Sequence, residues 1–296
     1  MEELEKPIWT TMQRLGWIGD ENLFVERAFA DGDAGVLKHL AETLVSKHVD
    51  LILAVGNSAP LAAARATQMI PIVFVNTLLP LERGLIDSYA RPGRNVTGVA
   101  LYTDLEVTTK RLDFLKQIVP FATRLSWTAL AAYLSLETVS GHPRDLIPTY
   151  VRAAREAGFE TRFHQVRQDQ DLNRLFAEIV ASSAQALMAA VSGLPPDTVK
   201  SYIALALRHR LPTAFFDREF VKAGGLLSYG LPLAEVQLNG VRCGEYVDRV
   251  LLGAAPGSIA VYRPDKYEFV INLNTAKELG VRVPQSLLLR ADEVIQ

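Results

Sequence analysis

The stretch from Val49 to Asn76 constrains this chain more than any other. It reads Val-Asp-Leu-Ile-Leu-Ala-Val-Gly-Asn-Ser-Ala-Pro, then an alanine-rich run, then Ile70-Pro-Ile-Val-Phe-Val-Asn76. Continuous apolar runs, rather than alternating ones, suit parallel strands covered by helices on both faces. Gly56, Asn57 and Ser58 fall where the first strand stops and a helix begins. Ser58 is placed to cap that helix, and Pro60 fits its first turn, where an amide hydrogen would go unpaired anyway. A loop of this kind aims free N–H groups and a positive helix end at one point, which suits a carboxylate or phosphate. A plain helix cap is the simpler alternative.

The same alternation of strand and helix runs nearly throughout. Strands are expected at Leu23–Ala28, Val49–Val55, Ile72–Val75, Val96–Ala100, Leu125–Thr128, Glu160–Val166, Ala186–Val191, Thr213–Phe216 and Phe269–Leu273. Helices are expected at Gly35–Lys47, Ala59–Gln68, Asp104–Ile118, Leu146–Ala157, Asp171–Ser182, Asp197–Arg208 and Leu233–Leu252. The rhythm predicts an α/β protein of two doubly wound, Rossmann-like halves meeting near Pro120. Ligands of doubly wound sheets bind beyond the carboxyl ends of strands, so two facing halves would hold a ligand between them.

Composition removes several function classes. With 296 residues, about half of them apolar, and a net charge of −2, there is neither a basic footprint for nucleic acid nor an acidic tail. No apolar run approaches the ~18–20 residues that span a bilayer. The opening Met-Glu-Glu-Leu-Glu-Lys-Pro is not a secretory signal. The single cysteine, Cys243, excludes an internal disulfide and reads as a buried structural thiol.

Catalytic and cofactor signatures are missing. His39, His48, His142, His164 and His209 are scattered, without the i, i+3 or i+4 spacing of metal ligands. Neither a dinucleotide fingerprint, a P-loop nor a nucleophile elbow appears. No metal, cofactor or catalytic residue is therefore assigned. Asn76 and Thr77 end the second strand and either join Ser58 around a ligand or start a turn. Ser192 and Asp217 end strands of the second half in the same manner, with Asp217 either meeting a cationic group on a ligand or pairing with Arg218 or another surface base. Arg91-Pro-Gly-Arg94-Asn-Val-Thr97 reads as a solvated loop.

Several blocks are familiar in wording as well as rhythm. Val49–Gly56, Ile70–Asn76, Ala90–Gly98, Lys110–Lys116, Arg218–Gly230, Phe269–Gly280 and Val283–Ile295 occur in order. Together, over residues 8 to 296, the chain resembles the ABC-transporter substrate-binding family that includes tryptophan- and tyrosine-type uptake proteins. The resemblance implies a type I periplasmic-binding-protein fold whose two lobes close by hinge motion, with residues 1–121 plus 232–265 in lobe one and 122–231 plus 266–296 in lobe two. It implies no catalysis, extracytoplasmic residence, and an ABC permease and ATPase as partners, with the membrane reached only through the permease; the ligand is expected to be a small carboxylate, an aromatic or apolar acid or an amino acid. It places ligand contacts at Asn57, Ser58, Asn76 and Thr77 in lobe one and at Tyr133, Ser192 and Asp217 in lobe two.

Three departures from the family pattern carry expectations. Ile8–Leu15 reads as the first helix, so lobe one is expected to lack the central strand that precedes it in relatives, or to be rebuilt. Leu79, not an acidic residue, precedes Pro80. Ala129–Tyr133 and Val191–Gly193 replace polar loops. Because a buried ammonium without a carboxylate is costly, the ligand is expected to be an acid with an apolar or aromatic body and no free ammonium. The rival readings are an α/β enzyme acting on a small carboxylate or nucleotide, a cytosolic ligand sensor, and a paralogue that no longer binds.

Overall fold

A computed structural model describes residues 2–30, 33–101, 105–130, 135–141, 144–167, 171–191 and 194–296. The chain divides into two compact α/β units, Met1–Thr103 with Glu137–Arg144 and Leu233–Asp265, and Asp104–Leu136 with Asp145–Pro232 and Lys266–Gln296. The division differs from the expected one at Pro232, which falls in the second unit, and in two longer segments. The helix Leu105–Ile118 groups with the second unit, and Glu137–Arg144 groups with the first.

Unit one is built on a three-stranded parallel sheet, β1 (Ile52–Val55), β2 (Ile72–Thr77) and β3 (Val96–Ala100), in that order. Its helices are α1 (Glu2–Arg14), α2 (Leu37–Ser46), α3 (Ser58–Ala66) and α9 (Leu233–Leu251). Side chains alternate across β2. Ile72 and Phe74 enter a core with Leu61, Ala63 and Val96, whereas Val73 and Val75 meet Ile8, Met12, Cys243 and Val247 on the other face. All four β2 side chains are completely buried, each contributing about 1.5–3 kcal/mol relative to exposure. This two-sided burial is why the run carries no polar alternation.

The segment Leu23–Ala28, expected as a strand, is not one. It makes a single bridge, Gly19 to Leu23, and Phe24 is 76% exposed. A strand requires a hydrogen-bonding neighbour, and among the described residues Leu23–Ala28 pairs with none, β1 being paired with β2 alone. Among the described residues the unit-one sheet ends at β1.

Unit two carries a seven-stranded sheet in the order β10-β9-β8-β7-β6-β4-β5. The strands are β4 (Arg124–Leu130), β5 (Glu160–Val166), β6 (Ala186–Ala190), β7 (Thr213–Phe215), β8 (Leu227–Gly230), β9 (Glu268–Asn272) and β10 (Glu293–Ile295). All neighbours are parallel except β8 with β9. The helices are α4 (Leu105–Ile118), α5 (Ile147–Glu156), α6 (Leu172–Ala181), α7 (Pro196–Arg208), α8 (Arg218–Lys222), α10 (Leu273–Leu279) and α11 (Gln285–Leu288). One face packs Leu125, Trp127 and Phe269 against Leu112, Leu115 and Ala153. The other packs Leu187, Ala189 and Phe215 against Phe176 and Tyr202.

In unit one, α1 lies close against α9 because Gly244 presents no side chain there. A Cβ at that position would stand 2.9 Å from both the Ile8 carbonyl oxygen and the Thr11 Cβ. Gly244→Val is expected to lower stability by about 1–3 kcal/mol in urea denaturation, as overpacking does.

Candidate ligand site at the strand ends

The carboxyl ends of β1 and β2 converge on a polar constellation in unit one. Val75 and Thr77 pair with consecutive β3 residues, Val99 and Ala100, so Asn76 is the extra residue of a bulge. Bulges re-aim a side chain, and this one holds Asn76 at φ +56°. Asparagine tolerates the left-handed region better than most residues. Leu79 adopts φ +51° three residues on, without that tolerance. Two such residues in one short loop mark a backbone over-determined by its surroundings.

Ser58 is the first residue of α3 rather than its cap. Asn57 takes the cap position but makes no side-chain bond to the helix. Its Oδ1 instead accepts from the Leu78 N–H at 2.8 Å, tying the loop after β1 to the loop after β2. The first-turn amides of α3 are thereby left without a side-chain acceptor, the condition for holding an anion at a helix N-terminus. Thr77 is spent differently. It is fully buried, and its hydroxyl donates to the Gly56 carbonyl at 2.8 Å. Ser58 also lines a hollow of about 460 Å³ within unit one, together with Lys38, Glu42, Arg65 and Glu137.

In unit two, Asp217 caps α8, accepting from the Glu219 N–H at 2.9 Å. The expected pairing of Asp217 with Arg218 is replaced by ion pairs from Arg218 to Glu268 and Glu293. Two carboxylates on the ends of neighbouring strands outcompete one already engaged with backbone. Tyr133 and Ser192 lie outside the described residues, as does His142.

Two residues that sequence reasoning missed belong to the unit-one constellation. Asn239, on α9, is completely buried and donates from Nδ2 to Asn76 Oδ1 at 3.3 Å. Glu235, one turn earlier, is buried and accepts from the Tyr262 hydroxyl at 3.2 Å. Burial, then the charge of Glu235, raises the Tyr262 phenol above its ordinary range. Tyr262 in turn bridges to β3, its amide donating to Gly98 and its carbonyl accepting from Ala100. Glu235 and Tyr262 thus tie α9 to β3. The i, i+4 spacing of Glu235 and Asn239 was the available signal, one polar stripe on the otherwise buried face of a long helix.

One pair in unit two has the form of a nucleophile and base. His164 Nε2 lies 3.1 Å from Ser126 Oγ, which lies 3.2 Å from Ser182 Oγ. Ser126 is wholly buried within the sheet, out of a substrate's reach, so the pair serves internal hydrogen bonding. Cys243 is buried as expected, and burial pushes its thiol well above the range of a reactive thiolate. Among the described residues, no cluster of three or more metal-ligating side chains occurs.

This fold and its strand-end loops define a class. Residues 3–295 match the family described as ABC transporter substrate binding protein, and the chain belongs to that family. It is 24% identical over 282 residues, covering 95% of this chain and 78% of the relative, to a tyrosine-binding protein of Clostridioides difficile. A crystal structure of a conserved domain protein from Vibrio cholerae matches with a TM-score of 0.79 at 22% identity, covering 99% of this chain and 94% of that one. An ABC domain from Streptococcus pneumoniae in complex with L-Trp matches with a TM-score of 0.76 at 21% identity, covering 99% and 96%. The fold is that of type I periplasmic binding proteins. No helix among the described residues is long and apolar enough to cross a membrane.

His164 supplies a test of the unit-two core. Burial, and secondarily Arg162, lowers its pKa below the ordinary 6.5. Below pH 6.5 the unfolded chain therefore takes up a proton before the folded one, and stability falls until the folded-state value is passed. Urea unfolding at pH 7.5 and 5.5 is expected to show a smaller acid-side loss for His164→Gln than for the parent. An equal loss would contradict the assignment.

Proposed function

We propose that this solute-binding protein takes up a small carboxylate with an apolar or aromatic body and delivers it to an ABC permease driven by its ATPase. Residence is extracytoplasmic, and the chain binds its ligand without catalysis. The reading assigns the carboxylate to the uncapped N-terminus of α3, with Ser58 and the amide of Asn57 alongside and Asn76 completing the unit-one contacts. Thr77 acts from behind by fixing the Gly56 carbonyl.

The observation that carries this reading is the Asn57–Leu78 bond, which diverts the natural cap of α3 and leaves its amides for an external anion. The aromatic body is supported by two relatives, one described as tyrosine-binding and one solved with L-Trp. Against the enzyme reading stands the burial of Ser126, which denies substrate to the Ser126–His164 pair. Against a nucleic-acid-reading sensor stands the net charge of −2.

Differential scanning fluorimetry against aromatic and aliphatic carboxylates, with and without amino groups, tests the proposal. A ligand present at 100 times its Kd is expected to stabilise the fold by about 2.7 kcal/mol. Amides of the same ligands should give no shift. Equal shifts by acids and their amides, or no shift by any carboxylate, would overturn it.

A further inference from the structure

The turn that follows β2 is held from outside itself. Leu79 sits at φ +51°, a strained angle for leucine, and Arg83 pins the chain on either side of it. The Arg83 Nε donates to the Leu78 carbonyl at 2.7 Å, and its amide donates to the Leu79 carbonyl at 3.0 Å. Arg83 is only 2% exposed and is itself clamped by the segment Glu137–Val139. Its Nη1 donates to the Glu137 carbonyl at 3.2 Å, and its own carbonyl accepts from the Val139 amide at 2.8 Å. Arg65, on α3, grips the same segment through the carbonyls of Thr138 and Val139. Hydrogen bonds donated by a charged group are the stronger kind.

Leu78 is bonded at both ends. Its carbonyl accepts from Arg83, and its amide donates to Asn57 Oδ1 at 2.8 Å. Asn57 keeps helical angles, φ −92° and ψ −45°, where an N-cap ordinarily takes extended ones. Asp171 and Asp217 show the ordinary arrangement, for both are extended and each accepts from the amide two residues on. The corresponding donor for Asn57 is Ala59, since Pro60 has no N–H.

We propose that Arg83 is a positioning residue for the anion site on α3. It holds the Leu78–Leu79 turn in the form that draws Asn57 off the helix, and Glu137–Val139 holds Arg83 in turn. Released from Arg83, Leu79 relaxes, the Leu78 amide turns away, and Asn57 swings back to cap α3 on Ala59. The chain's own side chain then occupies a donor that the carboxylate needs. Arg83 touches no ligand in this scheme and acts through Leu78 and Asn57. The inference rests on the carboxylate-binding reading above and names what keeps that site open.

Hydrogen exchange at the Ala59 amide of ligand-free protein tests it in Arg83→Met, Asn57→Ala and the double variant. A newly formed cap of ordinary strength is expected to slow Ala59 exchange in Arg83→Met by about 5-fold relative to the parent. The Kd for L-tyrosine or for 3-phenylpropanoate, whichever the parent binds, should rise by a similar factor. In the Asn57→Ala background, Arg83→Met should alter either quantity by less than about 2-fold, within the scatter of uncoupled sites. A merely structural role for Arg83 would loosen the loop and speed exchange instead. Faster or unchanged exchange at Ala59, or a full effect retained without Asn57, would overturn the proposal. Should Arg83→Met not unfold cooperatively in urea, Arg65→Met, at an exposed position, carries the test. Slower exchange at Ala59 in that variant supports the proposal, and unchanged or faster exchange overturns it. A parent protein that binds no carboxylate overturns the carboxylate reading, while the exchange result still decides the role of Arg83.

Discussion

Unit one depends on β2 being buried on both faces at once. Ile72, Val73, Phe74 and Val75 are inaccessible to solvent, shared between two separate cores. A strand so enclosed has no freedom to slip, because moving its register by one residue would exchange the two cores. Its carboxyl end is therefore a fixed platform, and the one irregularity permitted there is the bulge at Asn76. The neighbouring β3 comes close enough for this only because Gly98 has no Cβ, which would otherwise lie 2.1 Å from the Phe74 carbonyl oxygen.

From that platform the polar loop follows by elimination of partners. Asn57 turns from its helix to the Leu78 amide, Thr77 turns inward to Gly56, and Asn76 turns to Asn239. Each bond fixes one loop against another, so the loops are preorganised at the cost of two left-handed residues, Asn76 and Leu79. Preorganisation of this kind reduces the entropy lost when a ligand binds, which raises affinity without new contacts.

Much of this was legible in the sequence, and the exceptions have physical causes. Glu160–Val166 and Val96–Ala100 match observed strands end to end, and β1 and β2 lie within or just beyond their expected runs. Two short strands, Leu227–Gly230 and Glu293–Ile295, carry too few apolar residues to announce themselves and are held by their neighbours on the sheet. Leu23–Ala28 has the composition of a strand but pairs with no strand and makes only the bridge from Gly19 to Leu23. The positions of Asn57, Ser58 and Asn76 at strand ends were readable because strand ends are readable. Asn239 was not, since it reaches Asn76 across 163 positions and only the packing of α9 brings the two together. Ser58 as a cap was a fair reading of local chemistry, displaced by one position because Asn57 had a tertiary partner.

The central claim is that the loops after β1 and β2 grip a carboxylate through N–H groups. Amide-detected NMR during titration with an aromatic amino acid addresses it most directly. The account predicts the largest shifts at the backbone amides of Ser58 and Ala59 and at the side-chain amides of Asn57 and Asn76. Saturable shifts confined to other regions, with these four groups unmoved, would contradict it.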